Sequence, residues 1–140
     1  MQFVSDAPEG KTWFRIETEA EAQAESDAMK HAVEKYFRRE KEKAVQSYQP
    51  SSQTFIERDI GLGAHLARAM PLFLTLRDRE GNPLATAMLP PEGKDDAAFR
   101  IIIVGAANAD PYPSQGEAIE MLGKHFSLTL DRARCFPYAR

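Results

Sequence analysis

Three side chains have the spacing that puts metal ligands on one helical face: Asp27, His31 and Glu34, at i, i+4 and i+7. On a 3.6-residue helix their face lies opposite the apolar stripe of Met29, Val33 and Tyr36, so all three are expected to point to water. A solvated face without a dry cavity does not hold a metal, and none is expected. A second constellation is the stretch Gly105 to Pro113, which leaves an apolar strand and delivers Asn108, Asp110 and Tyr112 to the start of a helix. Free amides at a helix start suit an anion, although Asp110 is a poor neighbour for one and Ser114 has the position of a cap. With His65, these three are the candidate ligand-binding residues. Cys135 stands between Arg132 and the tail aromatics, with Arg134 beside it. Cations lower a thiol pKa, but a lone cysteine in a tail reads as a packing residue. No nucleophile–base pair follows from the sequence, so no residue is assigned a catalytic role.

Other patterns exclude functions. Gly61-Leu62-Gly63-Ala64-His65 lacks the lysine and hydroxyl of a phosphate loop and the third glycine of a dinucleotide fingerprint, and no cofactor is expected. Five of the nine residues from Lys35 to Lys43 are basic, but they scatter around the helix, and Glu34, Arg38 and Glu42 stand at ion-pair spacing. The order helix, three strands, helix from Phe55 to Phe126 resembles double-stranded-RNA-binding domains in element order alone. Those domains need lysines at the start of the last helix, where this chain has Pro113-Ser114-Gln115-Gly116-Glu117. With a net charge of −3 there is no general electrostatic drive toward nucleic acid either. The longest apolar run, FRIIIVGAA, is too short to span a bilayer. Neither nucleic acid nor membrane is an expected partner.

The elements that position these residues follow from periodicity. Phe14 and Ile16 alternate with Arg15 and Glu17 in a first strand, Thr12 to Glu17, with Trp13 on its more polar side. Thr18 and Glu21 form a capping-box pair. From Glu19 to about Tyr48 there is neither Gly nor Pro, which predicts a long amphipathic helix, or two shorter ones in line, with Ala22, Met29, Val33, Phe37 and Ala44 on its apolar side. Residues 50–53 read as a polar linker. Helix is expected from Gly63 to Ala69, while Phe55 to Ile60 fits either strand or helix. Leu72 to Arg77, a turn at Arg79-Glu80-Gly81-Asn82 and Leu84 to Leu89 form a hairpin. Phe99 to Val104 is a strand covered on both faces, Ser114 and Glu117 cap a last helix, and Ser127 to Leu130 is a short strand. Gly123 inside that helix costs about 1 kcal/mol relative to alanine.

The expectation is one α+β domain over residues 1–140: an antiparallel sheet of three to five strands packed against a long N-terminal amphipathic helix and a C-terminal helix. Residues 1–11 and 131–140 are expected as loosely docked tails. The chain is 43% hydrophobic and 28% charged, ordinary for a soluble globular domain, and its single cysteine and plain amino terminus fit the cytoplasm. Two functions follow. The first is a non-catalytic protein-interaction module that self-associates as a homodimer through the apolar strand Phe99–Val104 and the small residues Ala85 and Ala87. The alternative is a small-ligand-binding or enzymatic domain with a pocket between the long helix and the sheet, by analogy with the nuclear-transport-factor-like fold.

Overall fold

A computed structural model describes residues 1–49 and 54–137. The expected linker at 50–53 and the last three residues of the tail lie outside them. Among the described residues five strands form one antiparallel sheet in chain order: β1 (Gln2–Asp6), β2 (Thr12–Arg15), β3 (Leu72–Arg77), β4 (Pro83–Leu89) and β5 (Ile102–Val104). Four α-helices accompany it among the described residues: α1 (Glu19–Met29), α2 (Val33–Ser47), α3 (Phe55–Ala69) and α4 (Tyr112–Phe126). The fold is α+β, with helices on both faces of the sheet.

Strand alternation sorts the core into two layers. Leu72, Leu74 and Leu76 of β3 and Ala85, Ala87 and Leu89 of β4 point to one face, where Ala118, Ile119 and Leu122 of α4 cover them. Trp13 joins this layer, fully buried, and its indole N–H donates to the Ala118 carbonyl at 2.9 Å. The side of β2 expected to be the more polar is thus closed by α4. Phe73 of β3 points to the opposite face and packs with Ile16, Ala22, Phe37 and Ala44. The Phe37 and Phe73 rings meet edge to face at 5.2 Å.

Several boundaries differ from expectation, each for a local reason. The long helix breaks at Lys30, which takes a left-handed conformation (φ 55°) and closes α1 with a hydrogen bond from its backbone amide to the Ser26 carbonyl. The two pieces do not continue in line. They fold back as an antiparallel hairpin in which Glu34 reaches Ser26 and Arg38 reaches Glu19. The ambiguous stretch before Gly63 is helical, because Thr54 and Glu57 form a full capping box and start α3 at Phe55. The last helix begins with a turn at Tyr112, where the Asp110 carboxylate accepts the Tyr112 amide, and continues behind Ser114 after a non-helical residue at Gln115; no side chain caps it. Residues 2–6 form an edge strand instead of a loose tail, and β5 is shorter than the apolar run that encodes it.

Residues 128–130 form no strand. They pass over Gly123, where an added Cβ would sit 2.6 Å from the Leu128 carbonyl oxygen. The glycine that weakens α4 by propensity therefore admits the returning chain. That chain docks beside β5: the Phe136 amide donates to the Ile101 carbonyl at 2.8 Å, and the Ile103 amide to the Phe136 carbonyl at 3.2 Å.

Candidate functional site

Helix α1 buries a charged residue. Its sheet-facing stripe reads Ala22, Glu25, Ser26 and Met29, all at helical spacing and all buried. Glu25 is fully buried. One of its carboxylate oxygens accepts from Arg77 Nη2 at 2.7 Å, and the other from the Thr86 hydroxyl at 2.5 Å. Arg77 also donates to Thr75 Oγ1 (3.1 Å) and to the Gly81 carbonyl (3.0 Å). Thr75 and Thr86 are cross-strand partners at the centre of the β3–β4 hairpin, so two adjacent strands and a helix meet in one polar cluster.

The cluster ends at His31. Its Nε2 lies 2.9 Å from Thr86 Oγ1. Thr86 has one hydroxyl proton and gives it to Glu25, so it accepts from His31, which fixes the proton on Nε2. Nδ1 then faces the Val33 amide at 3.4 Å. Burial holds the His31 pKa below its usual 6.5, against the opposing pull of Glu25 and Glu34. This placement corrects the expectation that Asp27, His31 and Glu34 share a solvated face. The break at Lys30 turns His31 toward the sheet, while Asp27 takes Gln23 and Glu34 takes Ser26. Among the described residues no group of three acidic, histidine or cysteine side chains is placed to hold a metal ion.

Beside this relay lies a cavity of about 340 Å³. Its walls are His31, Val33 and Tyr36 from the α1–α2 corner, Phe73, Thr86 and Met88 from the hairpin, and Ile102 and Val104 from β5. Asn108 and the Phe136-Pro137 segment complete the rim. Apolar walls with a few fixed polar groups are the usual make-up of a small-molecule site.

The four candidate ligand residues do not converge. Only Asn108 reaches the cavity. His65 joins α3 to α2, with Nε2 at 2.8 Å from Ser47 Oγ and 3.0 Å from the Ala44 carbonyl, and it packs on Tyr48. Asp110 pairs with Arg132 at 2.5 Å, and the Tyr112 hydroxyl donates to the Leu130 carbonyl at 3.2 Å. The Tyr112 phenol and the Cys135 thiol are in contact, and burial pushes both pKa values up. An acidic, reactive thiol is therefore not what the flanking arginines produce. Asp110 and Tyr112 anchor the segment that carries Phe136 to the cavity rim, so they position a wall without lining it.

Glu25, Thr86 and Arg77 were not among the sequence candidates, yet a signal existed. Glu25 falls on the Ala22–Met29 stripe, and a charge on a buried stripe demands a partner. Thr75 and Thr86 likewise interrupt the apolar runs of the β3–β4 hairpin at matching positions. No family model matches the chain, and no curated protein or solved structure is similar to it.

Breaking this cluster has an asymmetric cost. Arg77 keeps 18% of its side-chain surface in contact with water and Glu25 keeps none, so the carboxylate is the worse orphan. Arg77→Met is expected to lower stability by about 4 kcal/mol and Glu25→Leu by distinctly less, measured as urea unfolding free energies. The depressed His31 pKa carries a pH dependence of known sign. As pH falls below about 6.5 the unfolded chain takes up the proton before the folded one, so stability declines with acidification and is complete above that value. The carboxylates held below 4.5, Glu21 and Glu34, act only at lower pH. His31→Gln should flatten the urea midpoint between about pH 7.5 and 5.5.

Proposed function

We propose that this protein is a small-ligand-binding domain whose ligand occupies the cavity between the α1–α2 corner and β4–β5. The observation that carries this reading is the coincidence of an apolar cavity with a pre-organised polar floor, His31 and Thr86, fixed from behind by Glu25. Binding is favoured over nucleophilic catalysis by the order of the relay. In a catalytic triad the imidazole stands between carboxylate and hydroxyl and takes the hydroxyl proton. Here the hydroxyl stands in the middle and its proton is directed to the carboxylate. A reducing cytoplasmic setting suits a chain whose lone cysteine is buried and unpaired.

The second reading, self-association, rests on different residues from those that first suggested it. Ala85, Ala87, Ile101 and Ile103 are covered by the protein's own core. The first turns of α3 instead expose Phe55 (83%), Ile56 (73%) and Ile60 (69%). An antiparallel pairing of α3 with its copy would bury this face and set Glu57 and Asp59 beside the partner helix's basic end at Arg68.

Filling the cavity with Ile102→Trp is expected to weaken binding of the apolar dye 8-anilinonaphthalene-1-sulfonate by about tenfold or more, with far-UV circular dichroism unchanged. Equal dye binding by the filled variant would overturn the cavity reading. Ile56→Asp/Ile60→Asp should leave cavity binding intact and convert a dimer to a monomer in sedimentation velocity. A wild-type chain that sediments as a monomer at about 100 μM would remove the second reading.

A further inference from the structure

Among the described residues, no aspartate, glutamate, lysine or arginine lines the cavity. Its sheet side is built from two cross-strand rows. Phe73, Met88 and Ile102 are neighbours across β3, β4 and β5, and Thr86 and Val104 are neighbours across β4 and β5. The two polar groups of the floor are already matched. His31 gives its Nε2 proton to Thr86 at 2.9 Å, and Thr86 gives its own to Glu25 at 2.5 Å. Burial keeps His31 uncharged at neutral pH, although Glu25 and Glu34 pull the other way. An ion drawn into this space would lose its hydration and meet no opposite charge.

The walls also have a ring character. Three elements each contribute an aromatic residue: Tyr36 from α2, Phe73 from β3 and Phe136 from the C-terminal segment. Rings attract rings in offset or edge-on geometry, beyond the area they bury. The thioether of Met88, in the middle of its row, is a favourable neighbour for a ring edge. Size is bounded as well. At roughly 30 Å³ per water-sized group, 340 Å³ holds on the order of ten non-hydrogen atoms.

We propose that the ligand is an uncharged aromatic molecule, a single ring or a fused pair, held among Tyr36, Met88 and Phe136. The assignment rests on the cavity being a binding site and adds the charge and ring character of what it binds. A molecule larger than this volume, such as the dye, leaves its charged sulfonate in water.

Isothermal titration of the full-length protein with molecules of matched size separates these statements: benzamide, benzoate, benzamidinium and cyclohexanecarboxamide. Benzamide is expected to bind about tenfold or more tightly than either ion, and about threefold more tightly than its saturated counterpart. Tyr36→Leu and Phe136→Leu, both at exposed positions, should each weaken benzamide about twofold to fivefold and leave cyclohexanecarboxamide unchanged. Benzoate or benzamidinium binding as tightly as benzamide would overturn the uncharged assignment. Equal affinity for benzamide and cyclohexanecarboxamide, or benzamide binding unaltered in both leucine variants, would overturn the aromatic one. Either result leaves the cavity reading standing. Failure of the whole set to bind overturns the ligand class alone if Ile102→Trp abolishes dye binding, and overturns the cavity reading too if dye binding is unaltered.

Discussion

The helical layer on one face of the sheet is held in register by a charge taken out of water. Helix α1 lays its stripe against β3 and β4, and the stripe includes Glu25. That carboxylate has no route to solvent, so the helix can dock only where Arg77 and Thr86 meet it. A wholly apolar stripe would tolerate sliding by a helical turn. A buried carboxylate with two fixed donors does not, because any slip leaves it unpaired. The cluster thereby fixes where α1 ends, and with it the corner that delivers His31 and Val33 to the cavity.

The cavity is a consequence of that corner. Helix α2 returns antiparallel to α1, and its inward residues Phe37 and Ala44 fill the space over Phe73 and Ile16. Toward β5, Val33 and Tyr36 face Ile102 and Val104 across the cavity. The opposite face shows the contrast. There Trp13, α4 and the 128–130 segment close over the sheet in one buried cluster with Ala85 and Ala87. One sheet thus has a filled side built for stability and a side left open at one end.

Much of the fold was legible in the sequence, because its signals are local. The β3–β4 hairpin, the Thr18–Glu21 cap and the amphipathic character of α1 and α2 follow from alternation and capping chemistry at short range. The features that escaped are those decided by partners far along the chain. The break at Lys30 has no glycine or proline to announce it; a left-handed lysine is tolerated because Ser26, Glu34 and the sheet below hold the turn. Once the helix breaks, wheel projections beyond residue 30 lose their phase, and His31 moves from the water side to the interior. The site was legible only in fragments for the same reason. Asn108 was picked out for its loop and does reach the cavity, whereas Glu25, Thr86 and Arg77 are brought together by contacts across more than fifty residues. Gly123 shows the converse: its cost is local and visible, while its benefit is a backbone that arrives from residue 128.

The rim of the cavity at Phe136 comes from the end of the described chain, tied down by the Asp110–Arg132 pair and by Tyr112 on Leu130. During synthesis, residues 33, 73, 86 and 102 emerge well before it, so the nascent chain can dock its helices and pair its strands while the pocket still lacks a side. The cavity therefore gains this wall only once the segment carrying Phe136 has docked beside β5.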